Sequence, residues 1–91
     1  MSETRVHVNN LDFKADPHTV RAWFFDRGWD LRDCYVPRDR AYPGFRNKGY
    51  CFIEFDTPEQ AEEAIDELSG VDGPGDRPMR MTLADPRRNQ D

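Results

Sequence analysis

Four residues at a spacing of two, Lys48, Tyr50, Phe52 and Glu54, carry the most informative chemistry in this chain. In an extended strand, side chains two apart lie on one face. That places two flat rings between a cation and a carboxylate. By the same alternation, His7 and Asn9, Tyr35, and Arg80 and Thr82 fall on one side of three further segments. Rings surrounded by cations, amides and hydroxyls suit unpaired nucleic-acid bases. Each stacked base is worth roughly 1–3 kcal/mol, cations hold phosphates, and amides reach base edges. The other use of such rings is cross-strand pairing for sheet stability, or cover by a C-terminal segment.

A second set of cations sits beside these rings. Residues 38–48 hold Arg38, Arg40, Arg46 and Lys48 against Asp39 alone, a net +3; the whole chain carries −5, so the remainder carries −8. Tyr42 and Phe45 are interleaved with the arginines, and Pro43-Gly44 shapes the tip. Guanidinium forks grip phosphates and their planes stack on bases. The plainer reading is a solvated loop whose arginines pair with nearby acids. Arg87 and Arg88 would extend the basic track.

These residues need a sheet to align them. Arg5 to Asn9 alternates and is β-branched at Val6 and Val8, which predicts a strand. Asp16-Pro17 is a helix start, Val20, Trp23, Phe24 and Arg27 follow at helical spacing, and Gly28 is its stop. Leu31 to Pro37 reads as a strand with an irregularity near Arg32-Asp33, because Leu31 and Cys34 break strict alternation. Lys48 to Phe55 is the strongest strand, with Cys51, Ile53 and Phe55 inward. Thr57 and Gln60 form a capping box ahead of the stripe Ala61, Ala64, Ile65 and Leu68. Met79, Met81 and Leu83 then alternate with Arg80, Thr82 and Ala84, the first three inward.

The order is β-α-β-β-α-β. It predicts an α+β sandwich of ferredoxin-like type, a four-stranded antiparallel sheet with two helices on one face. The other face, bearing the rings, is left open.

Composition sets the frame. The 91 residues allow one domain, expected over 5–85, with flexible polar ends at 1–4 and 86–91. No apolar run approaches the roughly 18–20 residues of a membrane span, so no membrane association is expected. Two cysteines, Cys34 and Cys51, point to a reducing intracellular compartment, nuclear or cytoplasmic. Overall acidity argues against nucleic acid, but the segregation of charge removes that objection. No catalytic set is evident: His7 and His18 lack a nucleophile, and the two thiols read as core. No metal, cofactor or enzymatic activity is expected, since zinc alone would need four converging ligands. Trp23 reads as core, Phe25 falls off the apolar stripe, and Trp29 is open to either reading.

Two segments carry a resemblance. Val6-His7-Val8-Asn9-Asn10-Leu11 resembles the RNP2 hexamer of the RNA recognition motif family, and Lys48-Gly49-Tyr50-Cys51-Phe52-Ile53-Glu54-Phe55 resembles its RNP1 octamer. The likeness covers about residues 5–85, and Cys51 stands where Gly or Ala is usual. The resemblance implies that His7 and Phe52 stack on successive bases, that Tyr50 packs on sugars and that Lys48 holds a phosphate. His7 departs from the usual Phe or Tyr and offers less area. The implied function is a monomeric module binding single-stranded RNA in RNA processing, translation or RNA stability. A rival reading is a protein-interaction module docking through the acidic segment 58–68, with Glu59, Glu62, Glu63, Asp66 and Glu67. RRM-like domains that bind peptides use an Arg-x-Phe motif, and here that stretch is Arg77-Pro78-Met79.

Overall fold

A computed structural model describes residues 4–84. Its elements are β1 (Arg5–Asn9), α1 (Pro17–Asp26), β2 (Asp33–Tyr35), β3 (Tyr50–Glu54), α2 (Pro58–Leu68), a 3₁₀ turn (Pro74–Asp76) and β4 (Arg80–Leu83). The four strands form one sheet in the order β2-β3-β1-β4, with every pair antiparallel. This is the architecture expected from the sequence.

Both helices begin as their sequences dictate. The Asp16 carboxylate accepts from the Thr19 N–H at 2.7 Å, and Pro17 opens α1. The Thr57 hydroxyl accepts from the Gln60 N–H at 3.2 Å. The Gln60 side chain accepts from the Asp56 N–H at 3.3 Å, one residue before the cap, so the box closes one position early. Val20 and Phe24 of α1, with Ala61, Ala64 and Leu68 of α2, share one core with Val6, Val8, Cys51, Ile53 and Met81 of the sheet. Both helices therefore cover the same sheet face.

Several local expectations change. Trp23 is half-buried, and the Arg27 guanidinium lies 3.8 Å from its ring centre. The buried stripe runs through Val20 and Phe24, which leaves Trp23 on its flank. Phe25, off the apolar stripe as the sequence has it, is 68% exposed, and Trp29, open to either reading, packs edge-on against Phe55. β2 is shorter than the run 31–37: the Arg32 N–H donates to the Glu54 carbonyl while Asp33 is the register partner of Glu54. Two residues thus face one, which is the irregularity the sequence announced. Pro37 lies beyond the strand and is buried, so alternation does not place it outward. Leu83 shares the helix side with Val6 through its register, but on the sheet's edge strand it is 41% exposed. Ala84, expected outward, is buried.

Asn47 is the one fully buried polar side chain among the described residues. Its amide donates to the carbonyls of Asp12 (2.7 Å) and Ala15 (2.8 Å), and its oxygen accepts from the Gly49 N–H (2.6 Å). It fastens the start of β3 to the β1–α1 connection. Next to it, Gly49 has φ +89°, and a Cβ there would lie 3.1 Å from Phe13 Cε1. Only glycine meets both conditions without strain.

Candidate nucleic-acid interface

The strand register builds the open face in rows. Tyr35 pairs with Phe52, Phe52 with His7, and His7 with Thr82, so one row crosses all four strands. The next row joins Tyr50, Asn9 and Arg80. On the other side of the aromatic row, Arg5 pairs with Glu54. Adjacent rows are two residues apart, about 7 Å. The residues that alternation assigned to this face on β1, β2, β3 and β4 are thus brought together.

The rings have a defined packing. His7 and Phe52 are stacked, with ring centres 4.8 Å apart and planes inclined by 17°. Tyr50 stands edge-on to both, 5.5 Å from His7 and 5.9 Å from Phe52. Tyr35 is 56% exposed at the edge of the row. The Arg5 guanidinium lies 4.9 Å from the Phe52 ring centre. Arg5 was not among the residues singled out from sequence, although it shares the period of two with His7 and Asn9. Glu54 accepts a hydrogen bond from the Thr4 hydroxyl at 3.3 Å. Partial burial holds the His7 imidazole below its ordinary pKa of 6.5, so the ring is neutral at pH 7.

The basic residues divide into two groups. Lys48, Arg38 and Arg40 are exposed. Lys48 precedes β3 across the left-handed Gly49, so strand alternation does not reach it. The loop itself is an ordered hairpin: Arg38 and Asn47 form a bridge, and the Asp39 N–H donates to the Arg46 carbonyl at 2.6 Å. Arg38 donates to the Gly44 carbonyl at 3.0 Å. Among the described residues none of the loop cations is in an ion pair; the pair found there joins Arg21 and Asp33 at 4.0 Å. Asp39 instead accepts from the Ala41 N–H within the loop. Arg46 is different. Its guanidinium lies 4.4 Å from the Phe13 ring centre and 5.3 Å from that of Tyr42, and its Nε is buried without a hydrogen-bond partner. It packs the loop against the β1–α1 connection and does not join the rows of the open face. Arg87 and Arg88 lie outside the described residues.

The acids of the second helix are on the far side. Glu59, Glu62, Glu63, Asp66 and Glu67 are exposed on α2, which covers the face opposite the rings. Burial pushes the Cys34 thiol up to about 11, and the Cys51 thiol higher still. Both are protonated at neutral pH; Cys51 is a core thiol, whereas Cys34, expected in the core, is half-buried against its edge on the short β2. Among the described residues no group of His, Cys, Asp and Glu is arranged to hold a metal ion, and no helix is long and apolar enough to cross a membrane.

Comparison with known proteins gives a consistent pattern. A model of the RNA recognition motif matches residues 6–80. The chain is 35% identical over 83 residues to a Caenorhabditis elegans protein named "Probable splicing factor, arginine/serine-rich 4", covering 89% of this chain and 39% of that protein. It is 33% identical over 86 residues to the chloroplastic 29 kDa ribonucleoprotein B of Nicotiana sylvestris, covering 94% of this chain and 28% of that one. It thus spans well under half the length of these two relatives. It is 32% identical to a Nostoc protein bearing the name RNA-binding protein RbpD, covering 92% of this chain and 85% of that protein. Among solved structures, the second RRM domain of the yeast poly(U)-binding protein superposes with a TM-score of 0.74 at 27% identity, covering 89% of this chain and 93% of that one. A Sxl-lethal protein solved with RNA gives 0.75 at 27% identity, covering 93% and 48%.

Proposed function

Since this chain belongs to the RNA recognition motif family, we propose that it binds single-stranded RNA across the open face of its sheet. The observation that carries this reading is the continuous row Tyr35, Phe52, His7, Thr82, which presents rings to solvent from three neighbouring strands. In this reading His7 and Phe52 stack on successive bases through the ring faces they do not turn to each other. Tyr50 packs against the sugars. Asn9, Thr82, Glu54 and Arg80 reach base edges, and Lys48, Arg38 and Arg40 hold phosphates. Arg46 serves the same binding indirectly, by holding the hairpin that carries the other cations. Relatives named for RNA binding, and the likeness to a domain solved with RNA, support the substrate class.

Stacking needs unpaired bases, and the acidic body repels a duplex backbone. Anisotropy titration with labelled single-stranded RNA of random sequence, against the same length of duplex, tests this. Tighter binding of the single strand is expected. Equal or tighter binding of the duplex would show that phosphate attraction, not stacking, dominates. The matched relatives include a splicing factor and chloroplastic ribonucleoproteins, so membership of the family does not choose a compartment or a process.

A further inference from the structure

His7 is the one ring of the open face that can carry a positive charge. It stands inside the aromatic cluster. Phe52 stacks on it with ring centres 4.8 Å apart, and Tyr50 is edge-on at 5.5 Å. Thr82 is its register partner on the other side. Among the described residues neither ring nitrogen has a hydrogen-bond partner or an ion pair. Ring packing holds the imidazole, and both nitrogens are left to meet solvent or a ligand. The other histidine, His18, is exposed on α1, which covers the opposite face.

The charges that face His7 come from three strands. Arg5 lies two residues away on β1, its guanidinium drawn to 4.9 Å from the Phe52 ring centre. Arg80 lies one row away on β4, as the register partner of Asn9. From β3 come Tyr50, Phe52 and Glu54; Glu54 is the register partner of Arg5 and accepts from the Thr4 hydroxyl at 3.3 Å. Two guanidiniums and one carboxylate thus surround a half-buried imidazole, and its burial keeps it neutral at pH 7.

A strand laid on the rings reverses this balance. Bases stacked on neighbouring rings are joined by a phosphate, so a strand on His7 and Phe52 brings negative charge beside the pair. An imidazolium gains from that charge, from the Phe52 ring face turned toward it, and from donating both N–H groups to phosphate oxygens. A Phe or Tyr at this position would gain none of these.

We propose that His7 takes up a proton from solvent as the strand binds, so that the open face holds single-stranded RNA more tightly in mild acid than at neutral pH. The proposal rests on the sheet face being the RNA-binding surface. It adds that one residue of that surface makes the binding respond to pH.

The test is anisotropy titration of the parent and of His7→Phe with single-stranded RNA octamers of random sequence, free of terminal phosphates, in steps from pH 7.5 to pH 5.5 at constant ionic strength. The parent is expected to gain about fivefold in affinity over that interval, as when the strand binds the protonated ring about tenfold more tightly than the neutral one. His7→Phe should show a nearly flat profile. In ¹H NMR the His7 ring protons of the parent should titrate at higher pH with RNA than without it. Parallel profiles for the two proteins, a parent that binds less tightly at pH 5.5, or an unchanged His7 titration would overturn the proton uptake and leave the face reading intact. Failure of both proteins to bind single strands at any pH would overturn both.

Discussion

The guanidinium of Arg46 lies 4.4 Å from the ring centre of Phe13. Arg77 approaches the same ring at 5.3 Å. Phe13 thus links the basic hairpin to the β1–α1 connection and to the segment before β4. Cation–π contacts of this kind are worth roughly 0.5–2 kcal/mol according to their exposure. Phe13→Ala should therefore raise amide hydrogen exchange across residues 38–47 while leaving β1 and β3 protected. Unchanged exchange in the hairpin would mean that Arg46 does not hold it.

Asn47 supports the same junction from inside. Replacing it with Ala removes three hydrogen bonds and leaves the Ala15 carbonyl and the Gly49 N–H without partners, while the Asp12 carbonyl keeps the Ala15 N–H. Buried groups left in that state cost about 1–3 kcal/mol each. Asn47→Ala is expected to lose about 3 kcal/mol in urea unfolding. A loss below about 1 kcal/mol would show that water replaces the amide.

The charge arrangement predicts a weak dependence on salt. Lys48, Arg38 and Arg40 are exposed cations beside the site, and an RNA strand neutralised by these three gives a log K against log salt slope of about −2. Anisotropy titrations at several salt concentrations measure it. A slope several times steeper would place the main source of affinity in phosphate contacts.

His7 makes the fold sensitive to pH in a defined direction. Burial depresses its pKa in the folded state below 6.5. The unfolded chain therefore takes up the proton first, and stability falls as pH drops through about 6.5 toward the folded-state value. Thermal unfolding between pH 7.5 and 5 should show His7→Phe losing less stability than the parent over that interval. Parallel curves for the two proteins would contradict it.

Much of this structure is legible in the residues because two simple periods generate it. Alternation over Arg5–Asn9 and Tyr50–Glu54 places His7, Tyr50 and Phe52 on one face, and the register confirms the grouping. Asp16-Pro17 and Thr57-Pro58 start the two helices where capping chemistry requires. What escaped lies where the period stops or where partners are distant in sequence. Gly49 breaks the alternation before Lys48. Asn47 meets Asp12 and Ala15 across more than 30 residues. Arg46 looks like its neighbours Arg38 and Arg40 in sequence, and only the place of Phe13 in the fold separates it from them. Arg5 was visible by its period but stands at the first position of its strand, where a charge usually reads as a solvated end.

The most direct test of the account is Phe52→Ala. Phe52 is half-buried on the open face and contacts His7, Tyr50 and Arg5, so its removal leaves the helix-side core untouched. In anisotropy titrations with single-stranded RNA of random sequence, the variant should bind about 1–3 kcal/mol more weakly while keeping a cooperative unfolding transition. Equal affinity of parent and variant would contradict the claim that this face stacks bases.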